Sequence, residues 1–234
     1  MDVQRGVFAV RVSGEYACFT RPEFKAERVS YPIITPSAAR GLLEAIMWKP
    51  EFRWQIREVR VLAPLRQTAI MRNELGERQG DKPVLIEDIR QQRTSLLLKD
   101  VAYCITAQIV LRPHATDPIA KYADQFARRL VRGQCHHMPY LGTREFAAAF
   151  EPATGDEKPE LLNLGIGSML FDIAYQPDAA NKELAFYRRN AAGGRQQVWG
   201  RAHALFFNAA VSDGVLTVPP EKYYELYALE ERHA

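Results

Sequence analysis

Apolar positions along this chain follow two rhythms. Between residues 5 and 13 they alternate, with Val7 and Ala9 toward one side and Phe8 and Val10 toward the other. That period-2 pattern predicts a strand, which Gly14 is expected to end. Residues 52–65 alternate again through Phe52, Trp54, Ile56, Val59 and Val61, up to Pro64. Residues 96–112 do so through Val101, Tyr103, Ile105, Ala107, Ile109 and Leu111, up to Pro113. Two stretches carry the helical rhythm instead. Over residues 36–48, Ala38, Leu42, Ala45 and Ile46 share a face; Thr35 can cap, Pro36 suits the first helical position and Pro50 stops the run. Over residues 117–132, Ile119, Tyr122, Phe126 and Leu130 share a face, Lys121, Arg128, Arg129 and Arg132 lie away from it, and Gly133 suits the helix end.

Residues 15–30 read as a loop rich in aromatics and cations. Residues 66–95 read as a loosely structured, charged excursion with a hairpin as its simplest form. Residues 134–146 read as a turn leading into a strand. The order is then βαββαβ, the ferredoxin-like arrangement shared with RNA-recognition domains. Residues 151–160 are a polar linker. Beyond it, residues 161–175 and 200–218 are strand-like and joined through residues 191–194, and the tail at 220–231 is amphipathic. The expected class is α+β: a ferredoxin-like domain over 1–150 and a small β-rich C-terminal domain or antiparallel extension over 161–234.

With 234 residues the chain can bury one large core or two small ones. Its 47% hydrophobic and 25% charged residues exclude a disordered class, and no apolar run approaches the roughly 18 residues a membrane span needs. Cys18, Cys104 and Cys135 form no CxxC pair and there is no secretion signal, so a reducing, cytoplasmic setting is expected. Net charge of +3 does not itself demand nucleic acid. Local rows do more: Arg53, Arg57, Arg60 and Arg66; Arg128, Arg129 and Arg132; Arg188, Arg189 and Arg195. Each row alone is as well explained by a solvated face. Together they point toward a polyanion, and they leave double-stranded DNA open as a partner.

No P-loop, HExxH, EF-hand or GxSxG pattern occurs, and Gly165-Ile166-Gly167 reads as a turn. What remains is a kit for cutting RNA with its own 2′-hydroxyl, which needs a proton acceptor and a cation for the phosphate. No metal or cofactor is expected. Lys121, Tyr122, His136, His137, Tyr31 and Arg144 are the candidates. All but Tyr31 have a plainer reading: Tyr122 as core, Lys121 as a solvated helix residue, the histidine pair as turn-ordering residues, Arg144 as a partner of Glu145. Trp48-Lys49 pairs an aromatic with a cation at a helix exit, as does Arg53-Trp54, a pattern that suits a stackable charged polymer such as single-stranded RNA.

Three blocks together resemble the type I-C CRISPR-associated endoribonucleases, the fifth Cas family in its c/d variant within the RAMP superfamily. They are Gly14-Glu15-Tyr16-Ala17-Cys18-Phe19-Thr20, the stretch from Ser30-Tyr31-Pro32 to Trp48-Lys49-Pro50, and Lys121-Tyr122 with Arg128-Arg129 and the run from Gly133 to Phe146. The resemblance implies a RAMP domain with a C-terminal β extension. It implies metal-independent, hairpin-specific cutting of CRISPR precursor RNA that leaves a 2′,3′-cyclic phosphate. It further implies retention of the 5′ handle and assembly with the other subunits of the type I-C surveillance complex. Lys121 matches the family's lysine. Met47 stands where the family has a tyrosine, and Tyr122 where a histidine follows the lysine. The resemblance carries the lysine role to Lys121; the residues themselves offer Tyr122 first and His137 second as the base, and Tyr31, Trp48, Lys49, Arg128, Arg129, His136 and Arg144 for RNA binding. Two further readings stay open: a non-cutting subunit that holds the guide handle, and a general double-stranded nucleic-acid binder.

Overall fold

The computed structural model describes residues 6–24, 26–76, 80, 85–181, 183–189 and 195–231. The elements run β1 (Val7–Ala17), β2 (Arg28–Val29), α1 (Pro36–Ile46), β3 (Phe52–Val61), β4 (Gln67–Leu75), α2 (Ile86–Ile89), β5 (Arg90–Leu111), α3 (Ile119–Val131), β6 (Ala149–Pro152), β7 (Leu164–Pro177), β8 (Leu184–Arg189), β9 (Arg195–Ser212), β10 (Val215–Thr217) and α4 (Glu221–Glu231). They form a mostly antiparallel sheet with a few helices. The strand path is β6-β1-β5-β3-β10-β9-β7, with β2 and β4 added to β5 and β8 to β9. Only the short β2–β5 pairing is parallel among the described strands.

α1 and α3 form where the periodicity predicts them. Thr35 accepts a hydrogen bond from the Ala38 N–H at 3.2 Å and Pro36 opens α1. Gly133 takes a left-handed φ of 62° just past α3. Phe8, Trp54 and Phe126 stack edge-to-face beneath α3, with centroids 4.6–6.1 Å apart.

Several boundaries differ from the sequence expectation. β1 continues through Gly14 to Ala17. A side chain at Gly14 would meet Leu141, so this glycine makes room for a neighbour and does not stop the strand. Within 66–95 the described residues form β4, the short α2 and the start of β5, and β4 pairs with β5 from Gln67↔Leu98 to Leu75↔Arg90, as the hairpin reading expects. Gly165-Ile166-Gly167 is no turn: it lies inside β7 and carries a register shift against β9, a β-bulge with Gly167 at φ 78°. β8 adds a strand the pattern did not announce, and Asp213-Gly214 splits the expected 200–218 strand into β9 and β10. The joint at 191–194 lies outside the described residues.

α1 touches both β3 and β7. Its Arg40 grips the buried Asp172 of β7 through Nε and Nη2 at 2.7 and 2.8 Å, and reaches Glu44 at 2.7 Å. α4 packs on β7, with Tyr223 edge-on to Phe171 at 4.8 Å. α1 is thereby anchored to the C-terminal strands.

Candidate nucleic-acid interface and active site

The last turn of α1 leaves carbonyls that have no partner within the helix. Other elements supply them. The Ala45 carbonyl accepts from the His136 N–H at 2.8 Å and the His137 N–H at 3.3 Å. The Ile46 carbonyl accepts from Arg129 at 2.8 Å, a cation placed at the negative end of the helix dipole. The Met47 carbonyl accepts from the Trp54 indole at 3.1 Å. This fixes the turn at 47–50 so that Trp48 is 46% exposed and Lys49 half-buried, while the rings of His136 and His137 lie exposed 5.8 Å apart.

The next residues, Pro50 to Phe52, meet the opposite end of α3. The Phe52 ring lies 5.5 Å from that of Tyr122. The Glu51 carbonyl accepts from the Arg112 N–H at 2.8 Å. His114, just before α3, has Nε2 3.1 Å from the Pro50 carbonyl oxygen. A carbonyl only accepts, so Nε2 carries the proton and Nδ1 of the neutral ring keeps its lone pair. Lys121 is exposed and paired with Asp117 at 2.7 Å, a contact that raises its pKa and keeps it cationic. Tyr122 is buried. Burial first, then the Glu51 and Asp117 carboxylates, push its pKa up, and the hydroxyl has no well-formed hydrogen bond. The neutral phenol is favoured.

About 12 Å of α3 separates Lys121 from Arg129. The 46–52 segment runs between those ends, touching Arg129 at one and Tyr122 at the other. Arg129, His136 and His137 are therefore gathered at the exit of α1, His114 and the buried Tyr122 lie against Pro50–Phe52, and Lys121 is exposed at that same end of α3. Among the described residues no group of three or more His, Cys, Asp or Glu gathers as a metal site.

The match to a known family decides membership. The model of the CRISPR-associated Cas5 proteins, in its Cas5d form, covers residues 7–219. The chain is 60% identical over 225 residues to the CRISPR pre-crRNA endoribonuclease Cas5d of Thermus thermophilus, covering 96% of each protein. It is 38% identical to the protein of the same name from Mannheimia succiniciproducens, covering 90% of this chain and 94% of that one. This chain belongs to the Cas5d family. A solved CRISPR-associated protein, 24% identical, shares the fold with a TM-score of 0.62 over 92% of this chain and 93% of its own.

Other expected positions in this Cas5d-family chain fall elsewhere. Tyr31 is fully buried, its hydroxyl accepting from the Leu170 N–H at 3.2 Å, so its ring has no face to offer a base. Met47, where the resemblance places a tyrosine, is buried too. Trp54 is core, and Arg53 lies 3.9 Å above the Tyr227 ring and pairs with Glu230. Arg128 is exposed on α3, its guanidinium donating to the Asp124 carbonyl at 3.3 Å. Arg144 is exposed and, among the described residues, forms no ion pair; Glu145 binds Arg28 and Arg72 instead. His114 is the residue the sequence reading passed over. Its signal was a histidine in the short loop between the 96–112 strand and the Lys121 helix.

Proposed function

We propose that this protein is a metal-independent endoribonuclease that cuts the hairpin of a CRISPR repeat and then keeps the 5′ handle within a type I-C surveillance complex. The observation that carries this is the surface around residues 45–50, whose carbonyls are met by His136, His137 and Arg129 at one end and by His114 at the other, with Trp48 and Lys49 between them in the chain and Lys121 exposed at the start of the helix that follows His114. The names of the two curated relatives point the same way. An RNA strand laid along this surface would stack on Trp48 and place a phosphate at Lys121. His114 Nδ1 would take the 2′-hydroxyl proton as that oxygen attacks the neighbouring phosphorus and the 5′-oxygen leaves. Lys121 would offset the charge building on the phosphate, and a 2′,3′-cyclic phosphate would remain.

The scaffold reading is ferredoxin-like, supported by the strand order β6-β1-β5-β3 with α1 and α3 as crossovers. The C-terminal strands read as an extension of the same sheet, since β10 pairs with β3 at Leu216↔Val59. The non-cutting subunit is favoured by the two departures, Met47 and the neutral Tyr122. Double-stranded DNA loses one of the three arginine rows that argued for it, because Arg53, Arg60 and Arg66 each face a carboxylate and Arg57 bonds Gln108.

The test is Lys121→Ala assayed for cutting and for binding of a repeat hairpin. The nuclease reading predicts a cleavage rate down by about 100-fold or more with affinity within about threefold. Equal losses in both would reduce Lys121 to a binding residue.

A further inference from the structure

The C-terminal strands carry a second combination of aromatics and cations that the cutting site does not use. On β9, Leu205 and Phe207 point into the core. By strand alternation His203, Arg201, Trp199 and Gln197 continue that same face. It is covered for part of its length only. The last turn of α4 reaches β7 at Gln176, which donates to the Leu229 carbonyl at 2.7 Å, but Arg201, the β9 partner of Gln176, is exposed. Trp199 is 43% exposed and Tyr187 of β8 56%. Ala185 stands opposite Trp199 and Gln197 opposite Tyr187. The two large rings are therefore diagonal neighbours, about 7–8 Å apart at their bases.

The opposite face of the same strands is different. There Tyr175 and Phe186 pack on each other at 5.4 Å. The Trp199–His203 face thus exposes flat rings and a guanidinium side by side. The carboxylate facing Arg201 is Asp178, at 3.5 Å and itself partly exposed, a weak pair that a phosphate can displace. Farther along, the backbone register sets Arg189 opposite Arg195 and Arg188 opposite Gln196.

We propose that the β8–β9 face formed by Tyr187, Trp199, Arg201 and His203 is a stacking platform for a single-stranded RNA segment that flanks the cut hairpin. Stacked rings hold bases without reading their sequence, and Arg201 complements the phosphates. The inference takes only the identity of the polymer from the proposed function; the platform itself rests on β8 and β9.

The test measures anisotropy of three labelled RNAs: a bare repeat hairpin, the hairpin with a single-stranded tail of about ten uridines, and oligouridine alone. The wild-type protein is expected to bind the tailed hairpin more tightly than the bare one. Trp199→Ala and Arg201→Glu should each weaken the tailed hairpin and oligouridine by about tenfold, Trp199→Phe by less than about threefold, and none should alter bare-hairpin binding or cutting. Both sites are exposed, so melting temperatures should match wild type, and Arg201→Glu keeps the test alive should Trp199→Ala fold poorly. Oligouridine binding lost in Trp199→Ala, in a protein that ignores the hairpin, would sink the proposed nuclease and leave the platform standing. No gain from the tail, or unchanged affinity in both variants, would overturn the platform. So would variants that bind RNA normally but no longer associate with a second protein.

Discussion

Lys121 and Tyr122 are sequence neighbours with opposite fates, because adjacent helical residues point about 100° apart. Tyr122 falls on the apolar stripe of α3 with Phe126 and Leu130, and Lys121 falls outside it. That contrast was readable from the 3.6-residue period. The chemistry of Tyr122 was not, since it depends on Glu51 and Asp117, which only the fold brings near. Its buried hydroxyl makes no well-formed bond, so Tyr122→Phe removes little. The expected outcome is cutting within about threefold of wild type and a urea midpoint equal or higher; loss of cutting by about 100-fold would return Tyr122 to the reaction. His114→Ala is expected to lose cutting by about 100-fold while hairpin affinity holds. The same loss from His137→Ala, with His114→Ala active, would move the base to the other end of α3. Tyr31 shows the limit of local reading: nothing near it in the chain reveals that residue 170 covers it.

At the scale of elements, α1 was the most legible, since cap, first-position proline, apolar stripe and stop all agree. The hairpin of β4 and β5 was the least. Its outer half carries Arg90, Gln91, Gln92 and Arg93, which give no two-sided contrast, so strand formation there follows from pairing rather than from hydrophobic alternation. β8 was hidden in the same way. The grip of Arg40 on Asp172 was also invisible, because the partners are far apart in sequence. Burial draws the Arg40 guanidinium toward neutrality, and the Asp172 and Glu44 carboxylates more than offset that and hold it charged. Arg40→Ala would strand a buried carboxylate. The expected loss is about 3 kcal/mol in urea unfolding, with much of it recovered in Arg40→Ala/Asp172→Ala. A single variant as stable as wild type would mean that apolar packing alone seats α1 on β7.

Across the whole molecule, burial is the largest influence holding Tyr31, Tyr103, Tyr122, Tyr223, Tyr227, Cys18 and Cys104 in their neutral forms, with every pKa raised. In the unfolded chain the same groups ionise at their ordinary values, about 8.5 for cysteine and 10 for tyrosine. A raised folded-state pKa stabilises fully below the unfolded value, and that stability is lost as pH climbs toward the folded value. The urea midpoint should therefore hold through pH 8 and fall by pH 10.5; a flat profile would mean these rings and thiols are solvated. The central claim concerns the RNA and its own hydroxyl. Its most direct test incubates the purified protein, in excess EDTA, with a repeat RNA and with a copy carrying one 2′-deoxy nucleotide at the mapped cut. One discrete EDTA-resistant cut is expected in the first and none in the second. Tight hairpin binding with no cut in either, or a cut that EDTA abolishes, would contradict it.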